Sequence, residues 1–499
     1  MNPTVSSRPG YDQALVARLW NYANVLRDNG TSGLEFIEQL ASLIVLKRAH
    51  EQRQRPLNGQ DVLGFDAWTQ LTRTERDRLI PAYQQILDLL AVRPGTLGLV
   101  FRRAQNRIPD PALLHRLIVD VVDRYQWSGG DTGAVFEALL ARMSTDTKTG
   151  AGQYYTPRPL IEAIVQCMQP GIDDTVIDPA CGTGGFLIKA SDYLVDHFPS
   201  DATAAQRKRL AQGAFFGTDL VDVTARLATT NLVLHGVTRA DETNPCITVG
   251  DALARPPVRR ATLVLTNPPF GRISTSEETY REDFWTLTTS RQLNFLQHIH
   301  SLLETDGRAA VVVPDSVLFE GGPGELIRRR LLSACDVHTL LRLPAGIFYA
   351  GGLKASVLFF DKPEPRPDGS PSTTRLWVYD LRSPDTPTAK PMTLAGPDYS
   401  DFVSAYRPGR PRSERVATPR FRSFTVDDLL ARSGVDLDLQ VAEPPPGPFA
   451  LEEPEADLHR MAQEITAELG AALAEFASLT EALRPYGVHA DGPDREEER

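Results

Sequence analysis

Two adjacent prolines, Pro268 and Pro269, limit the structures that the middle of this 499-residue chain can form. They follow an apolar run, 262–265, that predicts a buried β-strand. Neither proline has an N–H group to give to a sheet, so the strand must end at Asn267. The strand end therefore carries a carboxamide, a rigid turn and the ring of Phe270. Open α/β folds bind their ligands at this edge of the sheet.

The side chain of Asn267 has one oxygen that accepts hydrogen bonds and one nitrogen that donates two. An amino group on a planar base can donate to that oxygen and to the carbonyl oxygen of Pro268, while the base lies on Phe270. A strand end with a proline-rich turn explains the same residues without any ligand. The segment by itself leaves both interpretations open.

Three earlier predicted strands also end in an acidic residue. The first ends at Asp178, before a glycine-rich turn and a helix, and an acid there suits a ligand with an ammonium group. The turn has neither the G-x-G-x-x-G spacing of a dinucleotide site nor the Lys-Ser/Thr ending of a P-loop, so no diphosphate is implied. The second strand ends at Asp219, where such units hold a ribose diol. The third ends at Asp251, whose carboxylate can accept from an adenine amino group.

Four consecutive strands thus end in Asp178, Asp219, Asp251 and Asn267. One such residue would mean little. Because parallel strands end at the same edge of a sheet, the four together predict a single site for a ligand with an amine, a ribose and an adenine.

A helix begins just upstream of the first strand. Thr156 is a good N-cap, and Pro157 is preorganised for the first helical position. The free N–H groups at that helix end suit a carboxylate, although capping alone explains the two residues.

The distribution of apolar residues predicts three parts of the chain. Residues 1–147 are predicted as an all-α domain, because no strand pattern occurs before about residue 176. Residues 148–440 are predicted as an α/β domain, and 441–499 as a proline-rich linker followed by a helix over 454–483 with an apolar stripe. This last helix needs a surface to pack on, either a partner's or that of its own chain.

Charge and cysteine content restrict the class of protein. The net charge is -11, but residues 435–499 contain 16 acidic and 4 basic side chains, so the remainder is nearly neutral and can carry a basic face. The four cysteines have no metal-ligand spacing, which predicts reduced thiols and no metal site. No apolar run is long enough to span a membrane, and a cytoplasmic location is expected.

With these motifs established, the sequence resembles S-adenosylmethionine-dependent DNA adenine-N6 methyltransferases, and more narrowly the modification subunits of type I restriction-modification systems. The resemblance rests on "GQYYTPRPL", "DPACGTGGF", "NPPF", "GRAAVVVPDSVLF" and "LLRLPAGIFYAGGLKASVLFF". It covers nearly the whole chain. One departure is Asp219, where the family often has the longer Glu.

The resemblance implies a seven-stranded, Rossmann-like methyltransferase sheet and a set of site residues. The target adenine is assigned to Asn267, Pro268, Pro269 and Phe270. The cofactor S-adenosylmethionine is assigned to Gln153, Tyr154, Thr156, Pro157, Asp178, Ala180, Gly182, Thr183, Gly184, Asp219 and Asp251.

It also implies partners. Double-stranded DNA would present a flipped adenine, a separate specificity subunit would bind the C-terminal helix, and two copies of this chain would join one complex, to which a motor-nuclease subunit can be added. Residues 271–291 are predicted either as a loop that orders over DNA or as a plain surface loop. Two alternatives stay open: a methyltransferase acting on RNA or on protein glutamine, and a non-catalytic scaffold with the methyltransferase fold.

Overall fold

The computed structural model describes residues 13–54, 61–129, 132–145, 156–198, 201–272, 281–348, 354–382 and 397–441. The chain divides into two compact units, Met1–Val441 and Ala442–Arg499. The second unit, including the helix predicted over 454–483, lies outside the described residues. Of the helices that are described, none is long and apolar enough to cross a membrane.

The N-terminal region is helical, as the apolar spacing predicts. Its helices are α1 (Gln13–Asp28), α2 (Gly33–Arg53), α3 (Ala67–Arg73), α4 (Arg76–Ala91), α5 (Gly95–Phe101), α6 (Pro111–Arg116), which a π-helical turn (Leu117–Val122) extends, and α7 (Thr132–Thr145). Ser32 begins α2 with a capping box, in which its hydroxyl accepts from the Glu35 amide and the Glu35 carboxylate accepts from the Ser32 amide. Thr74 adopts an extended backbone conformation and thereby separates α3 from α4.

The rest of the described chain alternates helices and strands. The strands are β1 (Val176–Asp178), β2 (Phe215–Asp219), β3 (Ile247–Val249), β4 (Ala261–Thr266), β5 (Leu303–Pro314), β6 (Asp336–Arg342), β7 (Ala355–Lys362), β8 (Arg375–Asp380) and β9 (Phe421–Thr425). The helices are α8 (Arg158–Met168), α9 (Gly185–Asp196), α10 (Ala204–Gln212), α11 (Asp222–His235), α12 (Arg291–Leu302), α13 (Ser316–Phe319), α14 (Pro323–Ala334), α15 (Ser400–Tyr406) and α16 (Val426–Ala431).

The strands form one sheet in the order β3-β2-β1-β4-β5-β7-β6-β8-β9. From β3 to β5 all neighbours are parallel, and β7 runs antiparallel between β5 and β6. The predicted methyltransferase fold class is confirmed, but the expected count of seven strands is wrong for the described chain, because β8 and β9 extend the sheet beyond β6. The sequence of β9 has no clear alternation of apolar and polar residues, and only Phe421 of its five residues is buried.

Two apolar cores cover the two faces of the sheet, as its alternating side chains require. In β4, Leu263 and Leu265 belong to one core and Val264 to the other. A third core holds the N-terminal helices together and also contains Leu227 and Leu234 of α11. In addition, Arg226 of α11 pairs with Glu38 of α2. The helical region is therefore packed directly against the sheet region.

A buried arginine joins the end of β6 to the last described segment of the chain. The guanidinium of Arg342 is 1% exposed and donates to Asp315 Oδ2 at 2.8 Å and to Asp438. Asp315 also accepts from the Ser356 hydroxyl at 2.7 Å. Without Arg342, the buried Asp315 carboxylate would keep the Ser356 hydroxyl but lose its counter-charge.

We expect Arg342→Met to lower the free energy of unfolding by about 3 kcal/mol, because it leaves the buried Asp315 carboxylate without its counter-charge. Urea denaturation followed by circular dichroism measures this. Arg330→Met, at an exposed position of α14, is the matched control and should change the stability by less than about 0.5 kcal/mol. Equal stability of the two variants would show that the Arg342 contacts contribute nothing.

Candidate active site

The four polar strand ends found in the sequence lie together. Because β3, β2, β1 and β4 are parallel neighbours, their carboxyl ends meet at one edge of the sheet. A cavity of about 800 Å³ lies there. Its wall includes eleven of the residues predicted for the site, namely Thr156, Asp178, Ala180, Gly182, Thr183, Asp219, Asp251, Asn267, Pro268, Pro269 and Phe270.

The other predicted residues are placed differently. Gln153 and Tyr154 lie outside the described residues. Pro157 is the N-cap of α8, so the expectation of Thr156 as the N-cap and Pro157 as the first helical residue is wrong by one position. Gly184 is the N-cap of α9 with a φ of 83°. A Cβ added at Gly184 would come within 2.7 Å of Leu232 Cδ1, so the absence of a side chain there serves the close packing of α9 on α11. Neither residue forms part of the cavity wall, and their contact with a ligand stays a prediction.

Asp178 is the most buried acid of the site, with 1% of its surface exposed. Its Oδ1 accepts from the Thr266 hydroxyl at 2.6 Å and from the Ala180 amide at 3.0 Å. Burial raises the pKa of Asp178 to about 7, and the nearby Asp219 adds to the increase. A cation that enters the cavity would stabilise the ionised form of this carboxyl group.

Asp219 and Asp251 are held by backbone amides. Asp219 accepts from Gly182 at 3.1 Å and from Val221 at 2.8 Å, and burial raises its pKa. Asp251 accepts from Leu253 at 2.8 Å and is exposed. Each carboxylate keeps acceptor capacity for a ligand, since these bonds use only part of its lone pairs.

The amide group of Asn267 is oriented by a neighbouring segment. Its Nδ2 donates to Thr156 Oγ1 at 3.0 Å, so the residue before the N-cap of α8 and the end of β4 are directly linked. Its Oδ1 is buried and accepts no hydrogen bond from any residue that the structure describes. A buried acceptor of this kind carries a free-energy cost until a donor reaches it. The oxygen is therefore available for a ligand with an N–H group.

Several residues of the cavity wall could not be found by following strand ends. They include Arg158, Phe186, Phe284, Leu287, Arg291, Asn294, Phe295 and Phe348. Phe348 follows β6, before β7 begins. It lies at this edge of the sheet because β6 ends here and the antiparallel β7 starts here. No local pattern marks such a residue, because its place depends on the order of distant strands.

The segment after Phe270 was expected to be a loop. Residues 273–280 lie outside the described residues, but 281–290 packs closely on α12. Arg281 is 3% exposed and its Nη1 donates to the carbonyl oxygen of Leu253 at 3.4 Å. Gln297 donates to the carbonyl oxygen of Thr286 at 3.1 Å. This part is therefore a loop that packs on α12 and adds Phe284, Leu287 and Thr288 to the cavity wall, and its ordering over DNA stays a prediction.

The N-terminal helices also contribute to the site. Glu137 of α7 forms an ion pair with Arg158 at the start of α8 and accepts from Asn231 of α11. The same Asn231 Nδ2 donates to the carbonyl oxygen of Thr183 at 2.9 Å, within the glycine-rich turn. A carboxylate of the helical region thus contacts Arg158 directly and the glycine-rich turn through Asn231, and both segments line the cavity.

The cavity wall contains groups for polar recognition but none arranged for metal binding. Among the residues that the structure describes, no group of three or more His, Cys, Asp or Glu side chains could hold a metal ion. All four cysteines are unpaired, and Cys181, which lines the cavity, is buried with its pKa raised well above 9. It is therefore a neutral thiol and a poor nucleophile.

Comparison with known proteins gives consistent matches. The model of the N-6 DNA Methylase family matches residues 128–416. The StySPI methylase subunit of a type I restriction enzyme from Salmonella potsdam is 40% identical over 390 residues, which cover 74% of this chain and 71% of that protein. The EcoKI methylase subunit from Escherichia coli is 34% identical over 514 residues, covering 94% and 95%. A chain of a solved type I R-M system has a TM-score of 0.70 at 26% identity and covers 95% of this chain and 99% of its own length.

The state of Asp178 predicts a pH dependence of ligand binding. Below pH 7 the carboxyl group is increasingly protonated, so the affinity for a ligand with an ammonium group, such as S-adenosylmethionine, should fall by about tenfold per pH unit. Isothermal titration calorimetry between pH 5.5 and 8 measures this affinity. Asp178→Asn should bind weakly and without this dependence, whereas an unchanged affinity of the natural protein from pH 8 to 6 would contradict the interpretation.

Proposed function

The chain belongs to the N-6 DNA methylase family, in the group of type I restriction enzyme methylase subunits, and on that basis we propose that its cavity transfers a methyl group from S-adenosylmethionine to N6 of an adenine in DNA. The observation that carries this proposal is the unpaired Oδ1 of Asn267, buried beside Pro268 and Phe270 and without a donor among the described residues. An exocyclic amino group is the donor that this oxygen lacks.

The acidic strand ends fit the proposed cofactor. S-adenosylmethionine brings an electrophilic methyl group on a sulfonium, together with an ammonium group, a ribose diol and an adenine. We assign Asp178 to the ammonium group, Asp219 to the ribose hydroxyls and Asp251 to the adenine amino group. The support is the chemistry of the three carboxylates and their position around one cavity of about 800 Å³, a size within the usual range for small-molecule sites.

The catalytic role of Asn267 follows from its hydrogen-bonding capacity. The Thr156 hydroxyl accepts a hydrogen bond from Nδ2 of Asn267. The other atom of the amide group, Oδ1, is then free to accept a hydrogen bond from a ligand. With the Pro268 carbonyl oxygen, it would accept the two N6 hydrogens of the target adenine and so raise the lone-pair character of that nitrogen. The adenine has to leave the DNA stack to reach the cavity, at a cost of a few kcal/mol.

Aromatic residues and positioning would supply the rest of the catalysis. Phe270 lines the cavity next to Asn267, and stacking of a base on an aromatic ring is worth about 1–3 kcal/mol. Phe348 lines the same cavity and is the second ring that we assign to the flipped base. The cavity wall contains no histidine among the described residues, which fits a reaction that depends on alignment of the amino group rather than on a general base.

The assembly proposed for this chain rests on its relatives, which are named as methylase subunits of type I restriction enzymes. We propose three parts, 1–147, 148–440 and 441–499, and assign the reading of the DNA sequence to a separate specificity subunit. The helix over 454–483 is the segment that we assign to that contact. Two copies of the chain, and a motor-nuclease subunit where one is present, complete the proposed cytoplasmic complex.

We predict that Asn267→Ala lowers the rate of methyl transfer by at least about 10²-fold, because the N6 hydrogens lose an acceptor that acts at the reacting nitrogen. Transfer of a radioactive methyl group to DNA measures the rate, and calorimetry measures the affinity for the cofactor, which should stay within about twofold. Asn244→Ala is the matched control, since Asn244 is exposed and also precedes a proline but lies outside the cavity wall. Normal methyl transfer by Asn267→Ala would refute the assignment.

Mapping of methylated adenines tests the function and the partner together. DNA is sequenced from cells that express this chain, with and without the specificity subunit encoded beside it. We expect N6-methyladenine at one two-part sequence, and only when both proteins are present. Methylation by the chain alone would refute the need for the partner, and no adenine methylation in either case would refute the proposed reaction.

A further inference from the structure

Two arginines are the cationic residues among the described part of the cavity wall, and they have different surroundings. Arg158 is paired with Glu137 beside the glycine-rich turn. Arg291 is the first residue of α12, and its backbone amide donates to the carbonyl oxygen of Gly271 at 2.9 Å. Arg291 therefore lies next to the proposed target-base residues, because Gly271 directly follows Phe270.

Within the described part of the chain, the guanidinium of Arg291 makes no hydrogen bond or ion pair with another residue, and Arg291 is partly exposed. A cation whose N–H groups are unused by the described residues is thus present at this end of the cavity.

The position of Arg291 is fixed relative to the end of β4. The Gly271 amide donates to Gln292 Oε1 at 3.1 Å, and Arg272 forms an antiparallel bridge with Ser290. Asn294 donates to the carbonyl oxygen of Thr288 at 2.8 Å. The start of α12 is therefore held on both sides, which places the backbone of Arg291 beside Phe270.

We propose that Arg291 binds a backbone phosphodiester of DNA next to the flipped adenine. This inference rests on the proposed function. An adenine that enters the cavity brings its own phosphates to the cavity mouth. Of the two arginines in the described part of the wall, Arg158 is paired with Glu137 and Arg291 has no carboxylate partner. A guanidinium can bind a phosphate through two parallel hydrogen bonds.

The test uses the full-length chain with its specificity subunit and a duplex selected from random sequences by its binding to that complex. Fluorescence anisotropy gives the Kd for DNA from 50 to 300 mM salt, and methyl transfer gives the KM for DNA. Arg291→Ala should raise both about tenfold and reduce the slope of log Kd against log salt by about one. The affinity for S-adenosylmethionine should stay unchanged, because Arg291 is not assigned to that ligand.

Two further variants distinguish charge at this position from general effects. Arg291→Lys keeps the charge and should retain the salt slope of the natural protein, while Arg330→Ala, which removes an exposed arginine of α14, should leave both Kd and slope unchanged. An unchanged slope in Arg291→Ala overturns the inference, as does an equal loss in Arg330→Ala or a parallel loss of cofactor affinity. The binding measurement tests the contact between Arg291 and DNA even if no methyl transfer occurs. In that case the proposed function fails, and the phosphate contact is judged from the Kd and the salt slope.

Discussion

The pairing of β1 with β2 on one side and with β4 on the other is the constraint on which the site depends. Val176 is opposite both Phe215 and Leu263 in a parallel register. This register brings the Thr266 hydroxyl within 2.6 Å of Asp178, so the ends of two strands are joined by a buried hydrogen bond. Because side chains alternate between the faces of a sheet, a shift of one residue would move each side chain of β4 to the opposite face. The two prolines then end β4, so the strand does not continue past the cavity.

The N-terminal helical region contributes directly to the structure of the site. Glu137 is its main contribution, since this carboxylate accepts from both Arg158 and Asn231. Arg158 lies so close to Gly185 that a Cβ there would be 1.8 Å from its Nη1. The sheet region alone would therefore leave the guanidinium of Arg158 beside the start of α9 without Glu137. The two regions also share an apolar core through α11.

The sequence was sufficient for the parts of the site that have a local signal. Asp178, Asp219, Asp251 and Asn267 could be found because each follows a short apolar run, and the edge they share follows from the geometry of parallel strands. The fold class could be predicted for the same reason, although β9 could not, since its residues are mostly polar. All assigned contacts with the cofactor and with the target adenine stay predictions. Phe348, Arg291 and the link from Asn267 to Thr156 depend on which distant segments meet in space, and no periodicity or spacing encodes that information.

The unsatisfied oxygen of Asn267 has a consequence for stability. Within the described chain it is a buried acceptor without a donor, which typically costs about 1–3 kcal/mol. Only a ligand or water that enters the cavity removes this cost, whereas an apolar side chain of similar volume needs neither a donor nor the bond to Thr156. Selection for stability alone would therefore not favour the residue on which the proposed reaction depends. At this position a stable fold and the proposed reaction favour different side chains.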